Sequence, residues 1–204
     1  MSHEPRPLEE GAVLDLMRVS GALLEGHFLL TSGLHSPVYL QCARLLMEPG
    51  RAARVVEGLR AKLLARGLLA GLDVVLAPAM GGIIVGYELA RQAGLLSLFA
   101  ERQDGRFTLR RGFALAPAAK VLIAEDIVTT GLSTRECIAC ARDAGGDVVA
   151  AACLVDRSGG QADVGVPLVA LATLELPTYP ADDLPRELRA LPAVKPGSRS
   201  GLAS

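Results

Sequence analysis

Val121-Leu122-Ile123-Ala124-Glu125-Asp126-Ile127-Val128-Thr129-Thr130-Gly131-Leu132-Ser133 sets an apolar run against two adjacent carboxylates, a turn of hydroxyls and glycine, and the start of a helix. A continuous Val/Leu/Ile run bounded by turn residues reads as a strand buried on both faces, which is the habit of parallel sheets. The same unit, a short apolar run, a turn and a helix, occurs elsewhere in the chain. DVVLAP (73–78) meets Ala79-Met80-Gly81-Gly82 and then IIVGYELARQAG, and LSLFAE (96–101) follows. DVVAAACLVDRSGG (147–160) and VPLVALATLEL (166–176) close the series. Buried strands alternating with helices predict an α/β fold with a doubly wound, mainly parallel sheet flanked by helices. Ligands in such sheets sit at the carboxyl ends of the strands, here the loops after residues 78, 101, 126 and 156.

Outside this core, residues 8–25 read as an amphipathic helix with acids in its first turn. Apolar runs at 28–30 and 38–42 flank Thr-Ser-Gly-Leu-His-Ser-Pro and predict a hairpin, and 50–66 predict a second helix. Residues 102–119 carry Arg102, Arg106, Arg110 and Arg111 around a glycine turn and read as a hairpin or mobile loop. The Pro-rich tail from residue 177 is expected to hold a short helix at 183–190 and then run extended. One domain is expected over 1–204: a hood at about 1–45, a core at about 46–176, and a tail at 177–204 packed on the hood.

Composition narrows the function. The chain has 204 residues, 50% hydrophobic and 21% charged, which suffices for a core and excludes a disordered chain. A formal net charge of −1 lacks the basic excess of a nucleic-acid or anionic-membrane binder. The longest apolar stretch, Leu68 to Ala90, contains Asp73, Pro78 and Glu88 and reads as strand, loop and helix rather than a membrane span. MSHEPRPLEEG has neither a basic segment nor an apolar one, so no secretory signal is expected. Cys137 and Cys140 form a Cys-x-x-Cys pair within helical sequence and have no second ligand pair, so they are read as core thiols in a reducing cytoplasm. Aromatics make up only 3%, so a site that stacks a flat ring has few residues to draw on.

The chemistry of the central segment follows from its residue types. Backbone N–H groups of 129–133 at a helix N-terminus, helped by Thr and Ser hydroxyls, form a cradle for phosphate. Gly131 lets the backbone approach the anion. Carboxylates would repel phosphate, so Glu125 and Asp126 are expected to accept hydrogen bonds from hydroxyls or to face a cation. That combination suits a sugar phosphate whose vicinal diol is gripped by the two acids. The patterns G-x-x-x-x-G-K-[ST] and G-x-G-x-x-G are absent. An ordinary strand–turn–helix with Asp as a cap is the alternative reading. Against it, two adjacent acids ending a buried strand are costly without a partner. His27 and His35 flank the hairpin as hydrogen-bonding or surface residues, and Ser133 has no positioned His–Asp partner for nucleophilic catalysis.

The Val121–Ser133 string closely resembles the phosphoribosyl pyrophosphate (PRPP) signature of type I phosphoribosyltransferases. Phe28 to Leu40, Ala77 to Ile83, Phe99 to Arg102 and Val155 to Gly160, in that order, extend the resemblance to the bacterial orotate phosphoribosyltransferase family over nearly the whole chain. The Ser-Gly-x-x-Ser-Pro hairpin is the part that points to orotate. The resemblance implies transfer of ribose 5-phosphate from PRPP to N1 of orotate, giving orotidine 5′-monophosphate and pyrophosphate in pyrimidine biosynthesis. It places the ribose and its 5-phosphate on residues 125–133 and the pyrophosphate by the loop of Met80 and Gly81, which in relatives contains a strained non-proline peptide. Thr129, Arg157 and Tyr39 would contact orotate, with the hairpin as a hood over the base. Glu125, Asp126 and Arg102 are the implied catalytic residues. Mg²⁺ would arrive chelated by PRPP, with no dedicated protein metal cage, and a homodimer is implied.

The sequence departs from the family pattern at its cations. Many orotate enzymes carry Lys-x-x-Lys-x-His-Gly-Glu in a mobile loop shared across the dimer. Here Gln103, Asp104 and Gly105 follow Arg102, and Thr31 and Gly81 stand where relatives carry lysines. Arg106, Arg110 or Arg111 replace those cations, or simply solvate a hairpin. Two other functions share the signature: a phosphoribosyltransferase for a purine base, and a PRPP-sensing regulator that has lost catalysis.

Overall fold

The structure, a computed structural model, describes residues 7–30 and 32–196. Thr31 and the end of the tail lie outside the described residues.

Five strands form the parallel part of a six-stranded sheet: β3 (Val74–Pro78), β4 (Leu96–Gln103), β6 (Lys120–Val128), β7 (Asp147–Asp156) and β8 (Leu168–Thr173), with β5 (Arg106–Leu109) antiparallel at one edge. The order is β5-β4-β3-β6-β7-β8. After β3 the chain crosses through α4 (Gly82–Ala93) to β4 on one side, and later returns to β6 on the other. The carboxyl ends of β3 and β6 therefore lie side by side where the direction of winding reverses, the place such sheets open a crevice. The doubly wound reading holds.

Strand alternation sorts the core into two layers. Leu122 and Ala124 of β6 pack with Val55 and Leu59 of α3 (Pro49–Ala65), Val85 and Leu89 of α4, and Val13 and Met17 of α1 (Glu10–Val19). Val121 and Ile123 face Cys137, Ile138 and Ala141 of α5 (Leu132–Asp143). Each fully buried Leu, Val or Ile contributes about 1.5–3 kcal/mol. Local chemistry sets the helix ends. Pro49 occupies the first turn of α3 while the Glu48 carboxylate accepts from Gly50 N–H at 3.0 Å. Gly94 ends α4 in the left-handed region at φ 70°. All four cysteines are buried and free, as their sequence context predicts.

Several boundaries differ from expectation. The helix predicted over 8–25 stops at Val19, because Gly21 turns the chain at φ 66°. The freed residues become β1 (Leu23–Leu29), so the hairpin pairs β1 with β2 (His35–Leu40) rather than 28–30 with 38–42. A short helix absent from the sequence reading, α2 (Cys42–Leu46), follows directly. Its single turn is too short to show helical periodicity. The tail helix shrinks to α6 (Arg186–Arg189).

A two-stranded hairpin is marginal alone, and here the tail flanks both of its edges. Phe28 bridges Val194 in parallel, and His35 bridges Tyr179 in the antiparallel sense. Val194 N–H donates to the His27 carbonyl at 2.8 Å, and Leu29 N–H donates to the Val194 carbonyl at 2.9 Å. The buried His27 ring adds a 2.9 Å contact from Nδ1 to the Leu191 carbonyl, which fixes Nδ1 as the donor. Its Nε2 then accepts from His35 Nδ1 at 2.6 Å. The histidines thus act as hydrogen-bonding residues, as expected.

The first turn of α4 is close-packed on β6. A Cβ added at Gly82 would lie 2.6 Å from the Ala124 carbonyl oxygen. In an open helix Gly→Ala would stabilise, by about 1 kcal/mol. Gly82→Ala is expected to destabilise instead, by about 1–3 kcal/mol as an overpacked contact, read as a lower denaturant midpoint. An unchanged or higher midpoint would refute the close approach.

Candidate active site

Two cavities open at the carboxyl edge of the sheet. The smaller, about 230 Å³, lies over the ends of β3 and β6 and is lined by Pro78, Ala79, Gly81, Arg102, Phe107, Glu125, Asp126, Ile127 and Ser133. The larger, about 430 Å³, lies between hood and core and includes Tyr39, Thr129, Thr130 and Arg157. The turn after β6 runs between them, with Thr129 and Thr130 at one cavity and Ser133 at the other.

Strand alternation sends Asp126 to the same side as Ala124 and Glu125 to the same side as Ile123, and both reach the small cavity because β6 ends there. Burial pushes the Glu125 carboxyl up from 4.5 to about 8, with the adjacent Asp126 carboxylate adding to the effect. Asp126 is raised too, chiefly by burial, with Ile127 N–H at 2.8 Å favouring its charged form. The expense of two neighbouring buried acids is met by leaving a proton on Glu125 at neutral pH. Asp126 also packs against bare backbone: a Cβ on Gly81 would fall 2.6 Å from its Oδ1. Gly81 is thus required by the carboxylate beside it. The preceding Ala79–Met80 peptide is cis, and the Met80 side chain is exposed.

Gly131 holds φ 74° at the start of α5, where a side chain would meet Val164 at 2.8 Å. Arg135 fastens this turn from below, donating from Nη1 to the carbonyls of Thr130 at 3.0 Å and Asp163 at 2.6 Å. Val128 is buried and offers its carbonyl to Arg157 N–H at 2.8 Å, while the Leu132 side chain is exposed. Val128 and Leu132 therefore shape the turn without lining either cavity.

Arg102 projects over the Phe107 ring, 4.2 Å from its centroid, donates to the Gly105 carbonyl at 2.8 Å, and pairs with Glu136 of α5. Arg111 pairs with Glu101 through two hydrogen bonds of 2.9 Å and lies over Phe99. Glu101 therefore accounts for Arg111, whereas Arg102 is the arginine of this segment that lines the small cavity.

The larger cavity has one conspicuous polar feature. Arg157 is half-buried, burial lowers its guanidinium, and its Nε is buried without a hydrogen-bond partner among the described residues. The backbone beneath it is fixed by Asp156, which is 3% exposed. Asp156 Oδ1 accepts from Ser158 N–H at 2.8 Å and Ser158 Oγ at 2.6 Å, and Oδ2 from Gly160 N–H at 3.2 Å. Sequence reasoning passed over Asp156, although Asp-Arg-Ser-Gly-Gly after a strand is a turn signal. It also missed Leu176, Thr178, Lys195 and Pro196, which line the cavity from the tail. No spacing rule connects these residues to a loop so far away in sequence.

No family model matches the chain. Curated relatives do. The chain is 59% identical over 187 residues to the orotate phosphoribosyltransferase of Caulobacter vibrioides (strain NA1000 / CB15N), covering 92% of this chain and 95% of the relative. It is 59% identical over 191 residues to that of Maricaulis maris (strain MCS10), covering 94% and 97%. The chain belongs to the orotate phosphoribosyltransferase family. The crystal structure of orotate phosphoribosyltransferase from Aeropyrum pernix superposes with a TM-score of 0.63 at 28% identity, over 80% of this chain and 94% of that one. Membership of this transferase family agrees with the expectation drawn from the Val121–Ser133 string.

The raised Glu125 carboxyl makes stability depend on pH. Between 4.5 and about 8 the native state holds a proton that the unfolded chain has released, so stability falls as pH rises through that window. The slope is at most about 1.4 kcal/mol per pH unit. Glu125→Gln should flatten it, so that the variant gains on the parent between pH 5.5 and 7.5 in urea midpoints. Parallel curves for the two proteins would refute the buried, protonated Glu125.

Proposed function

We propose that this chain transfers ribose 5-phosphate from PRPP to N1 of orotate, with the base in the 430 Å³ cavity and the sugar pyrophosphate over the 230 Å³ one. The observation that carries the reading is the half-buried Arg157 guanidinium in a cavity whose lining, among the described residues, includes no acidic side chain. Such a guanidinium calls for a planar carboxylate, which orotate carries and a purine base does not.

On this reading each group has a distinct task. Arg157 fixes the base by its carboxylate, Thr129 offers a hydroxyl to the ring edge, and Tyr39 covers the ring. The backbone N–H groups of the turn over 129–133 cradle the 5-phosphate. Asp126 accepts hydrogen bonds from the ribose hydroxyls, and the protonated Glu125 adds a neutral donor and acceptor beside it. As the C1–oxygen bond breaks, its electron pair leaves with pyrophosphate while the N1–C1 bond forms, and the proton on N1 passes to the departing pyrophosphate or to water. The loop of Ala79, Met80 and Gly81 and the guanidinium of Arg102 lie on the side where that negative charge grows. Among the described residues no three His, Cys, Asp or Glu side chains converge as a metal cage. The Asp126 carboxylate at an open cavity fits a hydrated divalent ion held mainly by substrate oxygens. Mg²⁺ bound in this way would neutralise charge on the departing pyrophosphate.

The reading extends to a cytoplasmic homodimer. Four free, buried thiols favour a reducing compartment. Ile84 and Tyr87, exposed three residues apart on α4, offer apolar surface for a second copy. No helix of the described residues is long and apolar enough to cross a membrane.

With PRPP and Mg²⁺ present, orotate's ultraviolet absorbance should fall on adding the protein. Turnover of adenine or hypoxanthine without loss of orotate would overturn the reading. Asp126→Asn is expected to lower kcat/KM by about 10- to 100-fold, the worth of a hydrogen bond to a charged group, with the thermal midpoint of the protein retained. Wild-type activity in that variant would remove Asp126 from the sugar site.

A further inference from the structure

The guanidinium of Arg102 is held from three sides, and one of the three supports has no part in the site described so far. Asp104 and Gly105, at φ 50° and 82°, form the two-residue turn between β4 and β5, with the left-handed backbone that closes a tight hairpin. Across it Gln103 pairs with Arg106 and Arg102 with Phe107. Partners directly opposite share a face of the sheet, so the Arg102 guanidinium lies over the Phe107 ring, 4.2 Å from its centroid. Phe107 is itself buried in the cluster that contains Cys137 and Ile138 of α5. The second support is the Gly105 carbonyl, which accepts from Arg102 Nη1 at 2.8 Å. The third is the Glu136 carboxylate, which accepts from Nη2.

Glu136 lies three residues beyond Ser133 on α5, so the two are neighbours on one helix face. Ser133 lines the small cavity, whereas Glu136 reaches it only through Arg102. Arg102 is the single cation among the described residues that line this cavity. No lysine or histidine occurs between residues 103 and 119. How positive charge is presented there therefore depends on how this one guanidinium is held. A guanidinium has five N–H donors. The Gly105 carbonyl and the Glu136 carboxylate engage two of them and leave three for an incoming anion. With side chains 42% and 35% exposed, the ion pair adds little to stability. What it fixes is direction: the Phe107 ring sets the plane of the guanidinium, and the two acceptors at its edge set its rotation within that plane.

We propose that Glu136 is a positioning residue for the transfer step, which aims the Arg102 guanidinium at the departing pyrophosphate and touches no substrate itself. The proposal rests on the reading above that Arg102 lies where that charge grows, and deepens it by naming the group that directs Arg102. Charge on the leaving group builds only as the C1–oxygen bond breaks. A donor fixed beforehand meets that charge without reorganising at the moment of reaction. Without Glu136 the guanidinium keeps its charge, its ring and its carbonyl partner, but is free to swing within the ring plane. The loss then falls on the transition state, and so on kcat. Binding of PRPP in the ground state is carried, on the same reading, by the turn over 129–133 and by Asp126.

The test compares Glu136→Ala, Glu136→Gln, Arg102→Met and the double variant of Arg102→Met with Glu136→Ala. Steady-state assays on the full chain with Mg²⁺, PRPP and orotate give kcat and both KM values. Glu136→Ala should lower kcat about tenfold, the equivalent of about 1.4 kcal/mol. Its KM values for PRPP and orotate should stay within about threefold of the parent, with the thermal midpoint retained. Glu136→Gln keeps an acceptor at the same reach and should return kcat to within about threefold of the parent. In the double variant Glu136→Ala should cost nothing beyond Arg102→Met, because the carboxylate acts through the guanidinium. Parental kcat in Glu136→Ala overturns the proposal. So does the same loss repeated on top of Arg102→Met, which reports a disturbed α5, or a loss carried by the PRPP KM. A slow Arg102→Met beside an unimpaired Glu136→Ala leaves the placing of Arg102 intact and removes Glu136 alone. Parental kcat in Arg102→Met overturns that placing, and this proposal with it.

Discussion

The Asp126 carboxylate lies against a stretch of backbone that has no room for a side chain. A Cβ at Gly81 would meet Asp126 Oδ1 at 2.6 Å, and one at Gly82 would meet the Ala124 carbonyl at the same distance. These approaches bring the loop after β3 onto the last residues of β6. They are possible because β3 and β6 pair in parallel, Val74 with Val121 through Leu76 with Ile123. The sheet reverses its winding between these two strands, so the loops above them diverge and leave a crevice. The small cavity and the direction of α4 follow from that contact.

Around this point the molecule separates two kinds of chemistry by a single turn. Below it lie two acids, bare loop backbone and the Arg102 guanidinium stacked on Phe107. Above it lie hydroxyls, apolar walls and two cations. On the proposed reading, carboxylates in the upper cavity would repel an anionic base, and apolar walls below would strand sugar hydroxyls. The turn is held by Arg135 through two carbonyls and by Gly131 in the left-handed region, while Asp156 fixes the loop carrying Arg157. Rigid backbone supports set the spacing between the two cavities.

What could be read from the sequence follows the range of the interactions. The alternation of buried strands with helices gave the sheet, since burial on both faces leaves an unbroken apolar signature. Glu125, Asp126 and the turn were readable because their neighbours in space are their neighbours in sequence. The helix expected over 8–25 failed at Gly21, where apolar periodicity runs through a turn and supplies β1 with similar residues. Asp156 is hidden because a carboxylate accepting three local hydrogen bonds looks like any strand-end Asp. Lys195 is hidden because its cavity partners lie in the hood and the core, reached only through tertiary structure.

The hood is a two-stranded hairpin bridged on both edges by single residues of the tail, Val194 on one edge and Tyr179 on the other. Those pairings join residues separated by almost the whole length of the polypeptide, whereas the pairings of the main sheet join strands nearby in sequence. During synthesis the central sheet can therefore form while the tail is still within the ribosome. The cavity between hood and core acquires its last wall only when residues of 176–196 have reached the hood. A chain truncated before Leu176 would then keep the crevice over β3 and β6 without the wall that residues of 176–196 give the larger cavity.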